Sequence, residues 1–202
     1  MLLNYCGLIT YNKKDGSIRI AHNPSSSSII PRNMFITPQK PFSNVLALRK
    51  IIRHSLGFIY WVDKHLGRKV LELLCEELDG NVIQEVRLLG SINVNEDLAR
   101  IRSDFKRFKV EMGFKKIQAH FKILVDKTII NSIHDRWVTT ENKQYNVPPL
   151  NSLLQGQASE IIETSTRPPF EGWWCHAKDI LSGWGEISKH ASRKCAVDGC
   201  TR

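Results

Sequence analysis

The chain has 202 residues, 42% hydrophobic and 24% charged, the makeup of an ordinary folded domain rather than of a disordered or fibrous chain. Its 29 Lys and Arg outweigh 20 Asp and Glu for a net charge of +9, so an anionic partner is expected, nucleic acid first and an anionic membrane surface second. No apolar run reaches about 18 residues, Met1-Leu2-Leu3 passes straight into Asn4 and Tyr5, and the five cysteines form no framework; no transmembrane segment, no secretory signal and a reduced, cytoplasmic protein are therefore expected.

Residues 1–41 read as a small N-terminal β segment. Gly7–Tyr11 and Ser17–Ile20 flank Asn12-Lys13-Lys14-Asp15-Gly16 as a β-hairpin. Pro24 and Ser25–Ser28 break the pattern, Met34-Phe35-Ile36 is a third short strand, and Pro38 and Pro41 mark a boundary.

Residues 42–185 alternate helices and strands, which predicts an α/β fold with a mixed sheet flanked by helices. Ser43 starts a helix carrying Val45, Leu46, Leu48, Ile51 and Ile52. Phe58–Val62 is a short buried strand and Leu66–Leu78 a helix, with Cys75 a buried thiol. Val82–Leu89 is the next strand. A helix begins at Asn95-Glu96-Asp97, places Leu98, Ile101, Phe105, Phe108 and Met112 on one side, and stops at Gly113. Ile117–Val125 is a strand, and Ile129–Val138, rich in β-branched residues, is predicted as another. Arg167–Trp174 leads into a last short helix through Leu181, with Trp173 and Trp174 closing a core. Residues 186–202 read as a disordered tail. In it Cys195 and Cys200, with His190 upstream, lack the spacing of a zinc site, so neither a metal nor a cofactor is expected.

Two basic features stand out. The helix at 95–112 carries Arg100, Arg102, Lys106, Arg107 and Lys109 away from its apolar side, within a stretch of nine Lys or Arg against three Asp or Glu between residues 100 and 127. A basic helix face is either a solvated surface or a groove for a phosphate backbone. His120 and Lys122 share the strand face opposite Ala119, Phe121 and Ile123 and are candidates for further phosphate contacts.

The segment with the most chemistry is HDRWVTTENKQYNVPPLN, residues 134–151. On a strand at 129–138, His134 and Arg136 would point to one side. A guanidinium neutralises phosphate oxygens and an imidazole attacks phosphorus or moves a proton. Glu141, in the turn after the strand, would hold the second ring nitrogen. The spacing resembles the phospholipase D superfamily signature HxK(x)4D(x)6GSxN: His134 stands at the His, Arg136 at the Lys, Glu141 at the Asp and Asn151 at the Asn, with Pro148-Pro149 in place of Gly-Ser. The order of strands and helices from residue 42 to 181 is also similar to one lobe of that family, and the chain most resembles its minimal one-motif members.

The resemblance implies a phosphohistidine intermediate on His134, with Arg136, Glu141 and Asn151 completing the catalytic set. The general acid would come from a second motif, so two chains would pair as a homodimer to supply both histidines. Two function classes follow. One is a metal-independent nuclease or phosphodiesterase acting on nucleic acid. The other is a catalytically inactive phospholipase D-like module that binds anionic lipids or a protein partner. Arg at 136 and Pro-Pro at 148–149 favour the second, because Arg holds phosphate through a planar fork rather than as a point charge, and proline removes N–H donors.

Overall fold

The alternation of apolar and polar residues along the central strands becomes an eight-stranded mixed sheet. The computed structural model describes residues 9–11, 18–20, 33–39, 41–93, 97–155 and 157–197. The chain divides into two compact units, Met1–Pro31 and Arg32–Arg202. In the first, β1 (Ile9–Tyr11) and β2 (Ile18–Ile20) pair antiparallel with Ile9 opposite Ile20, the expected hairpin. Its loop, the Pro24–Ser28 break, the helix start at Asn95-Glu96, Cys200 and the rest of residues 198–202 lie outside the described residues.

The second unit runs β3 (Asn33–Ile36), α1 (Pro41–Arg53), β4 (Gly57–Val62), α2 (Arg68–Glu77), β5 (Ile83–Ser91), α3 (Leu98–Phe114), β6 (Gln118–Leu124), α4 (Lys127–Ser132), β7 (Trp137–Thr140), β8 (Gln144–Asn146), α5 (Leu150–Leu154), β9 (Ser159–Thr164), α6 (Phe170–His176), β10 (Lys178–Asp179) and α7 (Trp184–Val197). Strand order across the sheet is β10-β6-β5-β4-β7-β8-β9-β3. β4, β5 and β6 are parallel; every other pairing in this sheet is antiparallel. The fold is therefore a mixed α/β sheet flanked by helices.

The two faces differ. Ile59 and Trp61 of β4, Val86 and Leu88 of β5, Ala119, Phe121 and Ile123 of β6, Val138 of β7 and Tyr145 of β8 are buried on one face. Helices α2 and α3 are the crossovers that join the parallel strands, and right-handed connections place both on the same side. Leu48, Ile51 and Ile52 of α1, Val70, Leu73 and Leu74 of α2, and Ile101, Phe105, Phe108 and Met112 of α3 are buried at spacings of three and four. Phe105 meets Phe121 edge-on, with ring centroids 5.5 Å apart. Each fully buried side chain of this size contributes roughly 1.5–3 kcal/mol. The buried carboxylate of Glu77 ties α2 to α1 through Arg49 Nη1 at 2.6 Å and through Arg53.

Several expectations are corrected. Met34–Ile36 belongs to the main sheet as edge strand β3 on β9, not to the N-terminal segment, because its hydrogen-bonding partner lies more than a hundred residues away. Helix α3 passes through Gly113 to Phe114, and Lys115 accepts the stop, its N–H bonding the Glu111 carbonyl at 3.2 Å. Cys75 is half-exposed rather than buried, and its Sγ donates to Glu111 Oε2 at 2.8 Å; burial and then Glu111 push the thiol up to about 11. Helix α6 ends at His176, and the chain forms β10 against β6. Residues 184–197, expected from position 186 onward as a disordered tail, are helical.

The largest departure is at 129–138. Residues 127–132 are helix α4, 133–136 a loop, and the strand begins only at Trp137. Asp126 caps the helix, accepting from the N–H groups of Thr128 at 2.7 Å and Ile129 at 3.4 Å. Ile130 and Ile133 are both buried at a helical spacing of three. One side-chain cap and two core contacts outweigh the β preference of branched residues.

Two glycines test this packing. A Cβ on Gly80 would fall on the Lys115 carbonyl oxygen, a backbone atom, while one on Gly113 meets nothing. Lys115 Nζ in turn donates to the Cys75 and Leu78 carbonyls at 2.6 and 3.0 Å, fixing the end of α2 against the end of α3. Gly80→Ala is expected to destabilise the protein by ~3 kcal/mol in urea denaturation, whereas Gly113→Ala, in a helix interior, stabilises it by up to ~1 kcal/mol.

Candidate phosphodiester site

In an open α/β sheet, ligands bind outside the carboxyl ends of the parallel strands where the strand order reverses. Here β5 and β6 lie to one side of β4 and β7 to the other, so the reversal falls beside the end of β4. The residue there is Asp63, 4% exposed. Its N–H bonds the Leu89 carbonyl at 3.1 Å, and its Oδ1 accepts from the His65 N–H at 2.9 Å. The neighbouring loop after β5 is fastened to it: Ser91 Oγ donates to the Lys64 carbonyl at 2.9 Å.

Arg136 comes to this place from the loop after α4. Its Nε donates to Asp63 Oδ1 at 3.1 Å, and its side chain is 26% exposed. Among the described residues no other hydrogen bond or ion pair of this guanidinium is found, so both terminal amino groups face outward without a protein partner. The Arg136 carbonyl accepts from the Val147 N–H at 2.9 Å, which pins the loop from the other side. His134 and Asp135 are exposed beside it.

The expected catalytic set is not gathered. His134 and Arg136 do not share a strand face, because both precede β7. Glu141 follows β7 at its far end, where its carboxylate lies over Gly57 at the start of β4. Gly57 has φ +69, the left-handed conformation that glycine allows. At ~3.3 Å per strand residue, the length of β4 separates Glu141 from Asp63 and Arg136 by roughly 20 Å. An extended segment between them forces this: the sequence spacing alone did not show that residues 137–140 are fully stretched. Asn151 is exposed in the first turn of α5, four residues beyond Val147. It therefore returns toward the Arg136 end, while Glu141 does not. Asp63 was missed. The available signal was a carboxylate directly after a buried run, Phe58–Val62, at the end of a predicted central strand.

The basic residues are also redistributed. Helix α3 leaves the carboxyl end of β5 and returns to the start of β6, so Arg100 in its first turn is close to the candidate edge. Lys109, nine residues on, is ~13 Å further along at 1.5 Å per residue. Arg100, Lys106 and Lys109 are exposed. Arg107 pairs with buried Asp104, and Arg102 lies over the Trp184 ring at 5.0 Å. His120 and Lys122 do face away from Ala119 and Phe121, as expected, but Lys122 Nζ is held by the Trp174 carbonyl at 3.1 Å and lies 4.6 Å from the Trp174 ring centroid. Trp174 is half-exposed, stacked on Phe170 at 5.4 Å. The carboxylates at this edge temper the field, since Asp97 and Asp126 cap α3 and α4. What the edge offers an anion is one oriented guanidinium with exposed imidazole beside it. No group of three or more metal-ligating side chains occurs among the described residues.

The Asp63–Arg136 pair is expected to hold the loop as well as face a ligand. Arg136→Gln leaves a buried carboxylate without its cation and is expected to cost ~2 kcal/mol. In a double-mutant cycle with Asp63→Asn, measured by urea denaturation, the two effects should fall short of additivity by ~1 kcal/mol; additivity within ~0.3 kcal/mol would mean the pair is uncoupled.

No protein-family model and no curated protein sequence matches this chain. Among solved structures, TrmBL2, an archaeal chromatin protein described as showing a novel mode of DNA binding, is similar at a TM-score of 0.49 and 8% identity, over 88% of this chain and 79% of that one. That likeness is below the level from which a common fold or activity follows. Among the described residues, no helix is long and apolar enough to cross a membrane.

Proposed function

We propose that this chain is a phospholipase D-like module that binds the phosphodiester backbone of nucleic acid at the carboxyl edge of its sheet. The observation that carries the reading is the Arg136 guanidinium, oriented by buried Asp63 through Nε with both amino groups unpartnered among the described residues. A fork held in this way is suited to two parallel bonds to a phosphate. The net charge of +9 brings a polyanion to the surface, and the discrete site then seats it. Because the edge also carries Asp97, Asp126 and Asp135, the contact is local rather than a long basic groove. Binding to a 20-nucleotide single strand, followed by fluorescence anisotropy, is therefore expected to fall with salt at a shallow slope. Neutralising one or two phosphates gives a log–log slope of about −1. Arg136→Gln and Arg100→Glu should each weaken binding about fivefold, with Lys109→Glu close to wild type. If Lys109→Glu weakens it as much as Arg136→Gln does, the surface acts as a diffuse basic face and the seated phosphate is wrong.

A second reading is metal-independent cleavage of the bound phosphodiester, and one observation favours it. His65, two residues after Asp63, and His134, two residues before Arg136, are both exposed. In this reading one chain supplies both a nucleophile and a proton donor, with no second copy. Glu141 takes no part in this arrangement. Hydrolysis of bis-p-nitrophenyl phosphate in EDTA should then disappear in His134→Ala and fall sharply in His65→Ala, with Glu141→Gln unchanged. A wild-type rate equal to buffer leaves the binding module alone.

A further inference from the structure

The face of the sheet turned away from α1–α3 holds a cavity of about 400 Å³ that the phosphate site does not use. It lies between Phe58, Tyr60 and Thr139 on the sheet and the arm from Arg167 to Gly172 that leads into α6. Three features set its chemistry. Its walls are planar: Phe58 and Tyr60 have ring centroids 4.3 Å apart, Phe170 stacks on Tyr60 at 4.7 Å and 22°, and Pro168 and Pro169 complete the arm. Its lining includes Thr139, whose hydroxyl has no hydrogen-bond partner among the described residues. Thr139 is 4% exposed, and a buried polar atom of this kind is normally satisfied. Its mouth carries a cation, since Arg167 is exposed and makes no ion pair among the described residues.

The other polar groups nearby are already engaged. Tyr60 Oη donates to Glu85 Oε2 at 2.8 Å, and burial followed by that carboxylate raises the phenol to about 12. Glu171 pairs with Arg87 Nη1 at 3.1 Å, and Arg87 lies 4.8 Å from the Tyr60 ring centroid. The aromatic floor is thereby fixed in place before any ligand arrives. An acyl chain would leave both Thr139 and the stacked planes without a use. A planar heteroaromatic ring with polar edge atoms uses both, stacking on the aromatic wall and bonding the hydroxyl, and an anionic group attached to it reaches the guanidinium. The volume lies at the small end of ligand pockets and suits one such ring with its sugar.

We propose that this cavity is a nucleotide site, taking one unpaired nucleobase against Phe58 and the Pro168-Pro169 arm, with its edge toward Thr139 and its phosphate on Arg167. The proposal deepens the nucleic-acid reading by making the strand single, and it can be tested apart from that reading because a free nucleotide does not need Arg136. Isothermal titration of the full chain with AMP, CMP, GMP and UMP, with adenosine and with ribose 5-phosphate supplies the test. At least one nucleotide is expected to bind below about 1 mM, the corresponding nucleoside about tenfold more weakly through loss of the charged contact, and ribose 5-phosphate not measurably. Arg167→Ala, at an exposed position, should reduce the nucleotide to the affinity of its nucleoside, and Thr139→Val should weaken both. Arg136→Gln should lower nucleotide affinity less than Arg167→Ala does, even where it lowers binding of the 20-nucleotide strand. The proposal is overturned by ribose 5-phosphate binding as well as the nucleotides, by no nucleotide binding at about 10 mM, or by a loss of nucleotide affinity in Arg136→Gln that Arg167→Ala does not produce.

Discussion

The carboxylate of Asp63 is the constraint on which the rest of the sheet's carboxyl edge depends. It terminates a central strand with neighbours on both sides and is almost wholly buried. An ionised carboxyl so placed needs a cation and hydrogen-bond donors. The His65 N–H supplies one donor and Arg136 the cation. Arg136 can reach only if the chain stops being helical after Ser132 and passes over the end of β4 before β7 begins. The pair therefore fixes where β7 starts, and through it the antiparallel half of the sheet, β7-β8-β9-β3, that is added outward from β4.

The same sheet presents two unlike surfaces because its strands alternate. On one side α1, α2 and α3 cover a continuous apolar layer. On the other, Glu85, Arg87, His120, Lys122 and Thr139 share the surface with Phe58, Tyr60 and Trp137, and α6 covers part of it. Charged groups persist there because aromatic rings and carboxylates partner them: Arg87 is placed between Glu85, Glu171 and the rings of Tyr60 and Trp174. That face is thus a preorganised layer of planes and charges rather than a second hydrophobic core. An arm that begins at Arg167 folds down on it through Pro168 and Pro169, whose missing N–H groups allow close approach without orphaned donors.

The resemblance read from residues 134–151 depended on one-dimensional spacing, and three dimensions treat its four residues differently. His134 and Arg136 come to the sheet's carboxyl edge. Asn151 follows, because β8 runs antiparallel to β7 and brings Val147 back to Arg136. Glu141 is left at the opposite end, over Gly57. In its place the chain puts Asp63, more than seventy residues earlier in sequence. A carboxylate is present beside the cation, but it comes from β4 rather than from the turn after β7.

The sequence by itself determined the elements whose local signals agree. The short apolar run Phe58–Val62, the period-two alternation in Ile117–Val125, and apolar residues three and four apart in 66–78 and 95–112 are consequences of strand and helix geometry and need no distant partner to be read. The basic surplus and the separation of His120 and Lys122 from the apolar face follow from composition and alternation in the same way. Tertiary structure decided the rest. Ile129–Ile133 has branched residues that favour a strand, yet Asp126 caps a helix and buried Ile130 and Ile133 hold it. Met34–Ile36 became part of the main sheet because β9 offered its backbone groups a ladder. The site was decided at the end of β4, where a buried negative charge selected one arginine out of 29 Lys and Arg; which cation meets a given carboxylate is a fact of chain crossing, and no local spacing carries it.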